Sequence, residues 1–172
     1  MGCENLKYVN LGACTLRSDN EENYLSDNIF RGSALETIVL PRTLRAIGKS
    51  AFEGCKCLKS VSFGDNPMLE EIGVRAFYGS GLESFAAPPK LKKIGAIAFG
   101  NCCSLRDFRV NKGVQELGWL CFWATAIEDI KIPHQVAKTE EQLGLDQKDP
   151  RVLCLPDGLE TVESSWFKSS WF

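Results

Sequence analysis

A phenylalanine returns at nearly fixed intervals along this chain, and that return limits the fold more than any other feature. Phe30, Phe52, Phe77, Phe99, Phe122 and Phe167 are separated by 22, 25, 22, 23 and 45 residues, the last gap being two periods. The surrounding text repeats as well: IGKSAFEGCKCL at 47–58, IGVRAFYGSGL at 72–82 and IGAIAFGNCCSL at 94–105. Each unit also contains an L-x-x-Φ-x-Φ stretch, where Φ is apolar. These run Leu6–Leu11, Leu35–Leu40, Leu58–Phe63, Leu82–Ala87, Leu105–Val110 and Ile127–Ile132, with a weaker copy at Val152–Leu155. Alternation with period two is the mark of a short strand with one buried face. A unit this small cannot bury that face alone, so the units must stack.

A period in the twenties with one alternating strand per unit predicts a leucine-rich-repeat solenoid. The expected fold is α/β-type and strand-dominated: a right-handed solenoid with a parallel concave sheet of about seven coils. Its core lies behind the sheet. The Ile-Gly step and the Ala-Phe pair form the returning, convex limb, with glycine permitting a sharp bend and phenylalanine filling the space between limbs. Residues 1–172 form one domain, with regular coils at 3–132, a degenerate coil at 133–151 and a last coil at 152–172. Residues 35–55, LETIVLPRTLRAIGKSAFEGC, resemble the BspA-like leucine-rich-repeat family almost position for position. The resemblance covers roughly 3–132 and resumes at 152–172. It implies non-catalytic protein binding at a cell surface or in a secreted protein, such as adhesion or recognition.

Two kinds of coil alternate. The position three or four after phenylalanine reads Ser33, Cys55, Ser80, Cys102 and Thr125. The residue after each strand-opening position reads Lys7, Glu36, Lys59, Glu83, Arg106, Glu128 and Arg151, alternating in sign throughout. Neighbouring strands lie about 4.8 Å apart, so opposite charges in one row attract and hold the stack in register. This row reads as a structural ladder in preference to a ligand site.

The eight cysteines invite a metal or disulfide reading, which the repeat opposes. Cys55 and Cys102 are equivalent and two coils apart, so roughly 10 Å separates them, too far for a disulfide or a shared zinc. Cys3, Cys55, Cys102 and Cys121 read as small buried hydrophobes; Cys14 and Cys154 fall outside the pattern and read as accessible. The only histidine, His134, follows Pro133 at a strand end. There is no phosphate loop, no His-Glu-x-x-His and no Gly-x-Ser-x-Gly. The acidic stretch RSDNEENYLSDN (17–28) lacks the spaced ligands of a calcium loop. The expectation is no catalysis, no metal and no cofactor.

A net charge of −2 gives nucleic acid no reason to bind, and LGWLCFWATAI (117–127) is too short to span a bilayer. Two surfaces are candidates for a protein partner. On the concave sheet the outward residues flank each central apolar one, and the last coils carry the paired charges Asp107 and Arg109, then Asp129 and Lys131. On the convex limb Ile97, Trp119, Leu120 and Trp123, with Tyr78, form an apolar patch, which marks a contact. That contact is either an outside partner or the degenerate coil 137–151 folding over it. Neither end carries a polar cap, which predicts a segment of a longer protein or end-to-end self-association. The N-terminus MGCENLKYVN lacks the basic and apolar segments of a signal peptide. With the unpaired thiols, that supports the alternative of an intracellular scaffold or targeting module in the cytoplasm.

Overall fold

A computed structural model of the chain describes residues 6–16 and 23–127, together with two short strands at 129–130 and 162–163. Among the described residues there is no helix. Each coil has three sides. The first carries β1 (Tyr8–Asn10), β3 (Thr37–Leu40), β5 (Ser60–Phe63), β7 (Ser84–Ala86) and β9 (Asp107–Arg109). These are the predicted Φ-x-Φ stretches, and we call this side the front. The second side carries β2 (Tyr24–Leu25), β4 (Ala46–Ile47), β6 (Glu71–Ile72), β8 (Lys93–Ile94) and β10 (Glu116–Leu117).

Pairing is parallel on both sides, as stacked coils require. The second side is one continuous five-stranded sheet in the order β10-β8-β6-β4-β2. The front is divided into β1-β3-β5 and β7-β9. Beyond them β11 (Asp129–Ile130) pairs antiparallel with β12 (Val162–Glu163). The described coils make about four turns, counted from Phe30 to Phe122; the expected count of seven rests on residues outside the described ones.

The third side has no strand, yet it is just as regular. Three amides per coil donate to the next coil: Ser50 N to Val74 O, Phe52 N to Ala76 O and Gly54 N to Tyr78 O at 3.0, 2.7 and 2.7 Å. The same trio recurs one step later as Arg75 N to Ala96 O, Phe77 N to Ala98 O and Gly79 N to Gly100 O. Three such amides per step satisfy backbone that would otherwise be buried and unpaired.

Inside the triangle, Phe30, Phe52, Phe77, Phe99 and Phe122 form a stack with centroid spacings of 5.4, 5.1, 5.2 and 5.9 Å, and planes within 18° of parallel. Four of the five are fully buried, each worth about 1.5–3 kcal/mol of apolar transfer. Phe85 and Phe108 add a second column from the front strands.

The glycine of the Ile-Gly step has a different purpose from the bend expected of it. Gly48, Gly73, Gly95 and Gly118 are absent from the positive-φ positions. A Cβ at Gly73 would lie 2.8 Å from the backbone of Gly48 and Ile47, and one at Gly118 would lie 2.2 Å from Ala96 N. Glycine is there because coil rests directly on coil. The left-handed turn comes two residues later, at Ser50, Arg75, Ile97 and Leu120, with φ of 55°, 57°, 55° and 50°. For a β-branched residue such as Ile97 that conformation is strained.

Candidate functional site

The front strands present side chains alternately inward and outward. Leu35, Ile38, Leu40, Leu58, Leu82, Phe85, Leu105 and Phe108 point inward and are at most 4 % exposed. Outward stand Tyr8 (57 % exposed), Ser60, Ser62, Ser84, Ala86, Asp107 and Arg109, all exposed, with Thr37 and Val39 half-buried. The face is small and polar in the middle and carries charge toward β9, as the alternation predicts.

Asp107 and Arg109 are brought together. The guanidinium donates to the carboxylate twice, Nε to Oδ1 at 3.4 Å and Nη2 to Oδ2 at 3.2 Å, across two positions of one strand. Asp129 falls in β11, and Lys131 lies outside the described residues. The row beginning Lys7 pairs two by two: Lys7 with Glu36 at 2.9 Å and Lys59 with Glu83 at 3.8 Å. Hydrogen bonding and charge from Glu36 raise the Lys7 ammonium above its usual range. Glu128 and Arg151 lie outside the described residues.

Three further charge rows went unread in the sequence, although the same period marks them. On the second side Glu70 meets Arg45 at 3.6 Å and Lys92 at 2.8 Å; the Lys92 hydrogen bond and charge hold the Glu70 carboxyl below its usual range. Beside it Lys93 sits between Glu71 (3.5 Å) and Glu116 (3.8 Å). On the third side Glu53 bridges Arg31 and Arg75 at 3.0 and 3.2 Å. Burial works to raise the Glu53 carboxyl, but hydrogen bonds from Ser50 and Arg75 and the two positive charges outweigh it and leave it lowered.

Cys55, Cys102 and Cys121 are buried, as read from the repeat, and two of them do more than fill space. Cys55 Sγ donates to Phe30 O at 2.9 Å and lies 3.4 Å from Ser33 Oγ. Cys102 Sγ donates to Phe77 O at 3.0 Å and lies 3.3 Å from Ser80 Oγ. The serine/cysteine alternation is therefore a set of hydrogen-bonded pairs, each linking one coil to the next. Thr125, next in that row, has its Oγ1 buried without a hydrogen-bond partner. Burial pushes the thiols up, Cys102 to about 11 and Cys121 to about 12. Cys14, Cys57 and Cys103 are exposed; Cys3 and Cys154 lie outside the described residues. Among the described residues no group of three or more His, Cys, Asp or Glu could hold a metal ion, and no helix is long and apolar enough to cross a membrane.

On the third side, Trp119 is 38 % exposed, while Ile97, Leu120, Trp123 and Tyr78 are half-buried. The inter-coil trio sets them side by side, with Ile97 N bonded to Trp119 O at 2.8 Å and Asn101 N to Trp123 O at 2.6 Å. The Arg75 guanidinium lies 4.2 Å over the Tyr78 ring, a cation–π contact at the edge of this group. Residues 137–151, read as a cover for the patch, lie outside the described residues.

The family model for the BspA type leucine rich repeat region matches residues 23–143 in six copies. Among solved structures, the chain is similar to the T. pallidum leucine-rich repeat protein TpLRR, with 28 % identity, 74 % of this chain and 59 % of that one covered, and a TM-score of 0.65. It is similar in fold to the pneumococcal vaccine antigen PcpA (19 % identity, 78 % and 42 % covered, TM-score 0.62). A leucine-rich repeat protein of Bacteroides ovatus ATCC 8483 matches at 25 % identity, 74 % and 40 % coverage and a TM-score of 0.53. The chain thus spans 59 % of the first of these proteins and 42 % and 40 % of the others. No curated protein matches it.

Proposed function

The chain belongs to the BspA-type leucine-rich-repeat family, and on that premise we propose that it is a non-catalytic module that holds a protein partner on its front face at a cell surface. The observation that carries this reading is the front face itself. Exposed Ser84, Asp107 and Arg109 stand on strands whose inward Phe85 and Phe108 are buried in the core, and exposed Ser60 and Ser62 flank the half-buried Val61. Side chains mounted on such short, stacked strands hold a fixed pattern within each paired set of strands at little entropic cost, which is what recognition of a folded surface requires. The fold shared with a protein described as a vaccine antigen supports a place outside the cell.

The test is labelling of intact source cells with an antibody to this domain, with permeabilised cells as control. Signal on intact cells is the expected outcome. Signal only after permeabilisation removes the adhesion reading and leaves an intracellular scaffold. One observation favours that second reading: all six cysteines among the described residues are free thiols, and three of them are exposed, a state suited to a reducing compartment.

The patch of Ile97, Trp119, Leu120 and Trp123 is the second contact surface we propose. Replacing Trp123 by alanine should leave the thermal unfolding midpoint within a few degrees of the parent while weakening partner capture. A large drop in the midpoint assigns Trp123 to internal packing instead.

A further inference from the structure

Among the front steps from β1 to β9, the step between the coil of Phe52 and the coil of Phe77 differs from the rest. Here β5 and β7 form no ladder, although β3 pairs with β5 over four residues and β7 with β9 over three. The bond that opens each front step lengthens at this place. Glu36 N to Lys7 O is 2.8 Å, Lys59 N to Glu36 O is 2.9 Å and Arg106 N to Glu83 O is 3.0 Å, but Glu83 N to Lys59 O is 3.3 Å. The inward residues report the same gap. Val61 is half-buried, whereas Ile38, Phe85 and Phe108 at the same place in their coils are 1–4 % exposed. Phe63 meets Phe85 only edge-on at 6.4 Å, while Phe85 stacks on Phe108 at 5.5 Å.

The other two sides cross the same step unbroken. On the second side β6 pairs with both β4 and β8. On the third side all three inter-coil bonds are present, at 3.0, 2.7 and 2.7 Å, and Phe52 stacks on Phe77 at 5.1 Å and 4°. The sequence supplies the cause. Five residues (64–68, Gly-Asp-Asn-Pro-Met) connect β5 to the next buried leucine, Leu69. Counted from the equivalent positions Leu40, Ala87 and Val110, three residues make the connection, at 41–43, 88–90 and 111–113, and after Leu11 four do, at 12–15. The two extra residues let β5 end out of line with its neighbour.

We propose that this step is a hinge, joined along the second and third sides and open along the front, about which the two halves of the front face change their angle when a partner binds. A seam open on one side only, with a continuous sheet and ladder behind it, bends in one direction and resists shear. The exposed Lys59–Glu83 pair, at 3.8 Å, is the one ion pair that crosses the front of the seam among the described residues, and exposed pairs of this kind hold weakly.

Two measurements test the hinge on the intact chain. The first is amide hydrogen exchange. Front amides of β5 and β7 that face the seam should exchange at least about tenfold faster than those of β3 facing β5 and of β9 facing β7, because local opening exposes them first. The amides of Phe52, Gly54 and Gly73, behind the seam, should stay protected. Equal protection at all front steps overturns the proposal. The second measurement compares the parent with a variant lacking Asp65 and Asn66, which restores a three-residue connection. Spin labels at Tyr8→Cys and Arg109→Cys, with Cys3, Cys14, Cys57, Cys103 and Cys154 changed to serine, should give a broad distance distribution in the parent and a narrower one in the deletion variant. Equal widths overturn the hinge; if the deletion variant does not fold, the exchange comparison decides alone.

Discussion

At Gly73 there is no room for even a methyl group. A Cβ there would lie 2.8 Å from the carbonyl oxygen of Ile47 and from the backbone of Gly48, and backbone cannot swing aside as a side chain can. Gly73→Ala should therefore force two coils apart and cost about 1–3 kcal/mol, the range for overpacking a tight interior, read from denaturant unfolding. The Ile-Gly marks were legible in the sequence, but their reason was not. A bend is a local property that composition suggests; contact between two coils is a distance across 22–25 residues that no local pattern displays. Cys55, Cys102 and Cys121 were read correctly as buried, and what escaped was the bonding of the first two. Cys55 and Cys102 each give their S–H to the carbonyl of the preceding coil's phenylalanine, a partner one coil away in space. Their chemistry is predictable. Cys14, Cys57 and Cys103 should react with a disulfide reagent in the native protein, while Cys55, Cys102 and Cys121 react only on unfolding. Burial raises these thiols from 9.0 to about 11 for Cys102 and about 12 for Cys121. The folded state therefore holds their protons more tightly than the unfolded state. That stability is fully present below pH 9 and falls as pH rises through the window from about 9 to about 12. Unfolding midpoints taken across that range should decline steadily, and serine at Cys102 and Cys121 should flatten the decline.

The strands themselves were legible, because period-two alternation inside a repeat leaves one choice of inward face. The second and third sides were not separated in the sequence, since two-residue strands such as Lys93–Ile94 carry no alternation to read. Charge is where the element scale adds most. Glu70 stands between Arg45 and Lys92 of the adjacent coils, each just before a strand of the second side, so Glu70→Lys places three like charges in one row. The unfolding midpoint should fall at low salt, and the difference from the parent should shrink in about 1 M salt, where the screening length is about 3 Å. A salt-independent loss would mean that the glutamate stem matters through packing and not charge. These rows were missed for a plain reason. The sign alternation after each strand opening runs unbroken from Lys7 to Arg151, whereas Arg45, Glu70 and Lys92 are followed by Gln115 and look like chance until the coils are aligned in space.

For the molecule as a whole, repeat number and order govern more than any single contact. Stability in a stacked array is close to a sum of coil and neighbour terms, and the neighbours here are of two kinds. Ser33 meets Cys55 and Ser80 meets Cys102, just as Lys7 meets Glu36 and Lys59 meets Glu83. This makes the pair of coils, and not the single coil, the unit that can be copied or lost. Excising Lys56–Cys102, the 47 residues that follow Cys55, would bring Glu36 beside Arg106 and preserve the opposition of charge. Excising one coil, Glu53–Phe77, would set Ser33 beside Ser80 and Glu36 beside Glu83, two mismatches at one joint. The first variant should fold with a single cooperative transition, and the second should be markedly less stable by the same calorimetric measurement. A chain built this way lengthens or shortens its front face in steps of two, and a lineage of such proteins would vary in even numbers of coils between its ends.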